Sequence, residues 1–294
     1  MDNITVWYIA IFLIDMALAI AALLALRFGM ALLIGVHVKD ELDKKDNAAF
    51  GLVIAGGTLS LLIIMAGAMS GDSQTSLLTE ALSVLAYGVL GLVLLKVGIL
   101  IQDNIVLKDL SIKDELKQAN LGLGIVVAAN LISVGIIIRA AITWVEEDSW
   151  SVLLPLLIVF VISQAALALV SIIRAKVYSS RHEGASWQQA LASGNTALAI
   201  RYAGQLLGTA LSLSAIAGLV TYSSSYFLET AVLWAGYSIA ALVFIWVAYR
   251  LIVPILLMGI DIVEEVDEQN NTGVAAIEAA IFIGTASLLI AFVG

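Results

Sequence analysis

The chain has 294 residues, of which 62% are apolar and 13% are charged, and its net charge is −9. Soluble domains are about 45–50% apolar and about 25% charged, so the composition excludes a water-soluble enzyme and a disordered chain and indicates a protein of the lipid bilayer. The acidic balance argues against a nucleic-acid partner. Cysteine is absent, which excludes disulfides, cysteine zinc sites and a thiol nucleophile. We expect no metal and no cofactor.

Eight stretches are long enough to cross a bilayer, which takes roughly 20 apolar residues. In chain order they are Ile4–Leu26, Ala48–Ser70, Leu78–Ile101, Leu121–Trp144, Val152–Arg174, Thr196–Val220, Leu228–Arg250 and Thr272–Val293. The first is too long for a signal peptide and lacks a basic leader, so we expect a retained helix. The predicted fold class is an all-α integral membrane protein with eight transmembrane helices.

The basic residues cluster on one side of this layout. Twelve of the 14 lie in the loops after the odd-numbered stretches or near the ends of stretches on that side. Arg139 lies at the opposite side. The positive-inside rule therefore predicts that these loops are cytoplasmic and that both termini are periplasmic.

Four segments share the pattern Asn-x-small-x-small where the even-numbered stretches begin. The motif residues are Asn47, Asn120, Asn195 and Asn271, spaced by 73, 75 and 76 residues. Small residues recur four and eight positions after each Asn: Gly51, Ala55, Gly124, Ala128, Ala199, Ala203, Ala275 and Ala279. This periodicity predicts a helical hairpin repeated four times in one orientation. Small residues allow close helix approach in membranes, so we expect the even-numbered helices to be central.

The motif, with acidic residues before it and a Gly/Ala-rich stretch after it, resembles a known family. The segments 193–197 (SGNTA) and 270–273 (NNTG) are similar to the YjfL-like bacterial inner-membrane proteins, domain of unknown function 350. The family unit has four spans, so the chain resembles two units in tandem, about 1–147 and 148–294. The resemblance implies a location in the bacterial inner membrane and brings no established activity.

The four motif Asn residues suit helix N-caps, which accept a free backbone N–H of the first turn. An alternative adds that four positive helix ends converge into an anion site. The acidic runs 40–43 and 261–268 suit a solvated face that complements the next helix N-terminus; the alternative is docking of a basic cytoplasmic partner. The apolar segments Phe28–Val36 and Leu251–Ile260 predict interfacial helices.

Three charged residues lie inside the predicted spans. Asp15 is roughly 16 Å along the first helix, Glu278 is roughly 10 Å along the last, and Arg201 has nearly the depth of Glu278. A charge there costs several kcal/mol unless it is paired, wetted or neutralised, which makes all three candidate functional residues. The alternatives are carboxyls that only fix packing and an arginine that snorkels to the interface. Arg201 and Glu278 each stand alone at their repeat position, so we expect them to form an ion pair.

Two functions fit these features. The first is a channel or transporter for an ion or small solute, supported by the intramembrane charges. The alternative is a membrane scaffold that recruits cytoplasmic partners through its acidic and interfacial loops, supported by helices unbroken by proline. No P-loop, zinc-protease or nucleophile-elbow motif is present in the sequence, so we expect no enzyme. The expected partner is the bilayer, with a second copy or a cytoplasmic protein as open alternatives.

Overall fold

The computed structural model of the chain describes residues 3–34, 38–70, 76–145 and 153–293. These residues form eleven α-helices: α1 (Asn3–Ile34), α2 (Val38–Asp43), α3 (Ala48–Ala68), α4 (Leu77–Ile101), α5 (Ile112–Lys117), α6 (Leu121–Trp144), α7 (Leu153–Arg181), α8 (Trp187–Ala192), α9 (Thr196–Ser214), α10 (Phe227–Leu256) and α11 (Thr272–Val293). Short π-helical segments, Gln102–Val106 and Val263–Glu268, follow α4 and precede α11. Within these ranges no β-strand is present. The predicted unit boundary at 147/148 lies outside the described residues.

Seven of the described helices are long and apolar enough to cross a membrane: α1, α3, α4, α6, α7, α10 and α11. This number indicates a multi-pass membrane protein. Helix α9, predicted as the sixth span, is not among the seven. It has 19 residues, includes Arg201, Tyr202 and Gln205, and buries 14 of its 19 residues inside the protein. Its polar residues lower its hydropathy, and burial keeps them away from lipid.

Three outer helices run further than the sequence predicted. Helix α1 continues to Ile34, α7 to Arg181 and α10 to Leu256. The predicted interfacial helices are therefore wrong as separate elements, because the helical hydrogen bonding continues through most of their length. Pro254 lies inside α10, in its last turn, and the helix ends two residues later at Leu256.

Four helices form the centre of the protein in the order α3, α6, α9, α11, each packed on the next. Small residues set the close approach. A Cβ added to Gly56 would lie 2.7 Å from the Cα of Ala128, and one added to Gly204 would lie 2.3 Å from the Cα of Ala279. The longer helices α4, α7 and α10 each pack against two neighbouring central helices. Burial is greatest in the middle of the row, since 72% of the α6 span is buried but only 50% of the α3 span and 28% of the α11 span at its ends.

The same turn precedes each central helix. The residue before each motif Asn has a left-handed backbone, with φ of 49° at Asp46, 59° at Ala119, 90° at Gly194 and 56° at Asn270. Each Asn Oδ1 then accepts the backbone N–H three residues on, at 2.8–3.2 Å. All four motif residues are therefore N-caps that satisfy a donor of the first turn.

Candidate functional site

A buried arginine joins two carboxylates from different parts of the chain. Arg201 of α9 is 2% exposed. Its Nε donates to Glu278 Oε2 of α11 and its Nη1 donates to Asp267 Oδ1, both at 2.5 Å. Its Nη2 donates to the Ile262 carbonyl at 3.0 Å, and the Tyr249 hydroxyl of α10 donates to Glu278 Oε1. The ion pair expected between Arg201 and Glu278 is present, as one edge of a larger network.

Asp267 is the network member that the sequence did not predict. It lies in the acidic run before α11, which was interpreted as a solvated face, yet its exposed fraction is 8%. The π-helical turn turns Asp267 inward, while Glu264 and Glu268 of the same run remain exposed. Asn195 fixes this turn, because its amide donates to the carbonyls of Val266 and Asp267 at 3.1 and 3.0 Å.

A small pocket lies beside the network, between α7, α8 and α9. Its volume is about 20 Å³, which is enough for one water, and its walls include Arg174, Trp187 and Tyr202. Arg174 of α7 lies within electrostatic range of Arg201 and of both carboxylates. Two arginines therefore balance Asp267 and Glu278. His182 also lies beside the network, with its Nε2 3.8 Å from Asp267 Oδ2.

Buried polar side chains continue along α9 beyond Arg201. Gln205, Thr209 and Ser212 follow at intervals of four, four and three residues, which places them within about 80° of one another on the helix surface. None is more than 2% exposed. Within the described residues, neither amide atom of Gln205 and no atom of the Ser212 hydroxyl finds a hydrogen-bond partner.

The neighbouring helices add further polar groups of the same kind. Asn130 and Ser133 on α6, and Ser163 and Gln164 on α7, are buried, and each has a polar atom that no described residue satisfies. More than about 90% of buried polar groups in proteins are hydrogen-bonded, and an unmet one costs about 1–3 kcal/mol. Unsatisfied polar atoms therefore occur on α6, α7 and α9, three helices that pack on one another.

Asp15 lies apart from the Arg201 network. It is 7% exposed on α1, which packs on α3 and α4, and it interacts electrostatically with Glu80 of α4. Among the described residues its Oδ1 has no hydrogen-bond partner. The structure therefore does not bring the three charged candidates into one site.

Three of the four motif Asn side chains also bind a glutamate of their own hairpin repeat. The amide nitrogens of Asn47, Asn120 and Asn271 donate at 2.7–2.8 Å to the carboxylates of Glu41, Glu115 and Glu265, respectively. These glutamates precede their Asn by five or six residues, a spacing that the sequence analysis overlooked. Since the four capped ends lie along a row of helices, they do not converge into the anion site considered above.

The predicted packing residues are not all in internal contacts. Six are buried or half-buried against neighbouring helices: Gly124, Ala128, Ala199, Ala203, Ala275 and Ala279. Gly51 is half-buried, and a Cβ there would make an ordinary 3.6 Å contact with Leu42. Ala55 is exposed, so its predicted role inside the bundle is wrong, because none of the described helices covers that side of α3.

One family model, described as Domain of Unknown Function (DUF350), matches residues 4–142 and 148–293. The chain belongs to the DUF350 family. The two matches confirm two family units in tandem. No curated protein and no solved structure matches the chain. The DUF350 description states no activity, so a functional proposal depends on the geometry of the polar groups.

Proposed function

We propose that the chain is an eight-span inner-membrane channel or transporter for an ion or small polar solute. The path would follow the polar face of α9, with the Arg201 network as a gate near one end. The observation that carries this proposal is the set of buried polar atoms on α6, α7 and α9 that no described residue satisfies. Such groups are stable within a membrane protein when water or a passing solute completes their hydrogen bonds.

Helix α9 would be the eighth span. Its 19 residues extend roughly 28 Å at 1.5 Å per residue, close to the hydrocarbon thickness of about 30 Å. It begins at the same kind of Asn cap as α3, α6 and α11 and lies between α6 and α11. These features support four parallel hairpin repeats in two units, 1–147 and 148–294. The basic residues support cytoplasmic caps and periplasmic termini.

The Arg201 network suits a gate because its charges are mutually neutralised and buried. Arg201 and Glu278 lie six and seven residues after their caps, roughly 10 Å along α9 and α11. A proton or cation that binds Glu278 weakens the ion pair between Glu278 and Arg201. The neighbouring Arg174 is a second cation with which Glu278 and Asp267 can then pair. Competition of this kind shifts a network between two arrangements. Asp15 has no part in this path.

The scaffold alternative has less support. Docking through the acidic loops would depend on exposed acids such as Glu264 and Glu268, since four other acids are already engaged. Glu41, Glu115 and Glu265 accept from the cap residue of their own repeat, and Asp267 links two repeats through Arg201. We also propose that the chain catalyses no reaction.

Cysteine accessibility tests the path directly, since the chain has no cysteine of its own. Gln205→Cys and Ser212→Cys should react with a charged, water-soluble thiol reagent in intact membranes, because a thiol must ionise in water to react. Leu206→Cys and Ala210→Cys are the matched controls, buried on other faces of α9 (1% and 0% exposed). We expect rates at least ten-fold above the controls. Equal, slow rates at all four positions would refute a hydrated path.

A further inference from the structure

One helix contact recurs along the central row in a fixed register. Counting from the cap Asn, residue 9 of one helix packs on residue 8 of the next. Gly56 meets Ala128 in this way and Gly204 meets Ala279, with an added Cβ 2.7 and 2.3 Å from the facing Cα. The register belongs to the repeat and not to one pair of helices.

A second contact recurs near the caps. Residue 2 of one helix packs on residue 4 of the next. A Cβ added to Gly124 would lie 2.6 Å from the carbonyl oxygen of Ala49, and one added to Gly122 would lie 3.4 Å from the Cβ of Ala199. Each central helix therefore has a forward face, which carries residues 2 and 9, and a backward face, which carries residues 4 and 8.

The cap amides repeat the same order. Asn47 donates to the carbonyl of Leu116 at 2.7 Å and Asn120 donates to the carbonyl of Leu191 at 3.0 Å. Leu116 and Leu191 are the penultimate residues of the short helices α5 and α8. Asn195 donates likewise to the segment before α11. The cap Asn of each of the first three hairpin repeats thus hydrogen-bonds to the short helical segment of the next repeat.

The forward face of the last helix has no neighbour within the described residues. Gly273 and Ala280 of α11, at positions 2 and 9, are exposed, and so is Gly284 at position 13. A Cβ added to Gly284 would meet nothing within 4 Å, whereas one added at the equivalent Gly208 would lie 2.7 Å from the Phe282 carbonyl. The face that α9 buries on α11 is open on α11 itself.

The backward face of the first helix is open in the complementary way. Ala55, at position 8 of α3, is exposed, and Leu62 of the same helix is 40% exposed. Helix α1 packs on the central row only through α3, whereas α4, α7 and α10 each have two central helices beside them. The groove that would seat α1 lacks its second central helix.

The cap contact is incomplete at the same two ends. Within the described residues the Asn271 amide donates only to Glu265. The other three motif amides donate to a backbone carbonyl of the following hairpin repeat. In the first hairpin repeat, Leu42 is the penultimate residue of α2. Leu116 has the equivalent position in α5. The unused donor and the equivalent carbonyl therefore lie at opposite ends of one molecule.

We propose that copies of this chain associate head to tail in the membrane, with α11 of one copy packed on α3 of the next. The contact uses the internal register with alanine at both positions, as Ala129 of α6 and Ala203 of α9 provide. Ala280 therefore meets Ala55 of the next copy, and Asn271 faces the Leu42 carbonyl of the next copy. The repeats share one orientation, so successive copies insert the same way in one bilayer. A contact between two different faces generates rings or chains of copies and not an isologous dimer.

Disulfide cross-linking in native membranes tests this register, since the wild-type chain lacks cysteine. The double variant Ala55→Cys/Ala280→Cys should give disulfide-linked species of two, three and more copies under a mild oxidant, because residues 9 and 8 face each other at each internal contact of this register. Each single variant should remain uncross-linked. The two singles expressed together should give a dimer and nothing larger.

Ala165, exposed on the outer helix α7, supplies the control. Ala165→Cys/Ala280→Cys should cross-link at least ten-fold less than the double variant. Cross-linking no greater than this control, or equally efficient self-linking of either single variant, would overturn the proposal. In lipid nanodiscs, Ala280→Leu should convert wild-type oligomers to single copies while Ala165→Leu leaves the oligomer mass unchanged; a wild-type chain that is a single copy there and in the membrane also refutes the proposal.

Discussion

Substitution of Arg201 should be the most damaging change to the buried charge network. Arg201→Gln removes the cation that contacts both Glu278 and Asp267, which are 0% and 8% exposed. Removing one partner of a buried pair costs about 3–5 kcal/mol, because the other charge is stranded. Arg201→Gln leaves both carboxylates without a guanidinium in hydrogen-bond contact, so we expect a loss of about 5 kcal/mol.

The carboxylate substitutions should cost less. Glu278→Gln leaves Arg201 paired with Asp267, and Asp267→Asn leaves it paired with Glu278, so each loss should be about 3 kcal/mol. The double variant Arg201→Gln/Glu278→Gln strands only Asp267. It should therefore be more stable than the sum of the two single losses predicts, by about 3 kcal/mol.

Reversible unfolding in detergent, measured for all variants at one pH, gives these free energies. Arg250→Gln is the control, since Arg250 is an exposed arginine of α10 over the Trp246 ring, and it should change stability by less than about 0.5 kcal/mol. Additivity within about 0.5 kcal/mol for Arg201 with each carboxylate would show that the contacts do not act as a network. The reasoning about a buried gate would then be wrong.

Two further predictions concern packing and pH. Gly124→Ala places a Cβ 2.6 Å from the Ala49 carbonyl, whereas Gly51→Ala, at the same repeat position, makes an ordinary 3.6 Å contact; both gain helix propensity, so in the same unfolding assay Gly124→Ala should be less stable by about 1–3 kcal/mol. Equal stability would contradict the close approach. The pKa of Glu41 is lowered by hydrogen bonds from Lys45 and then from the cap amide. Its contribution is full above the ordinary glutamate value of about 4.3 and is lost as pH falls through the lowered value. The wild-type melting temperature should thus fall more steeply in acid than that of Glu41→Gln; parallel pH curves would refute this.

Features that depend on local geometry were predictable from the sequence. An Asn before an apolar helix caps that helix wherever the helix lies, and spacing alone located all four caps. Small residues at fixed intervals likewise indicated which helices approach closely. The repeat also identified α9 as an element equivalent to three apolar helices, although its hydropathy is lower than theirs.

Features that depend on which segment lies beside which were not predictable. Three acids of the run before α11 look alike in the sequence, but the π-helical turn buries Asp267 and leaves Glu264 and Glu268 exposed. The exposure of Ala55 has a similar cause, since its repeat position predicts a neighbour and its place at the end of the row removes that neighbour. A repeat pattern specifies an interface but not where the row stops.

Close packing and the polar path occur on the same helix for one physical reason. Ala199 packs against α6, while Gly204 and Gly208 pack against α11, and these small side chains bring neighbouring backbones around α9. The remaining arc carries Gln205 and Ser212 and lies toward the outer helices α7 and α10, which also pack on α9. Polar groups on that arc are shielded from lipid on every side, so the membrane penalty that confines charges to bundle interiors does not apply to them. The outermost central helices, α3 and α11, lack a neighbour on one side, and the Arg201 equivalents there are Val53 and Ile277. Gln205 and Ser212 therefore lie on a helix that has neighbours around its whole circumference, whereas Glu278 on α11 is buried because it faces α9 and α10.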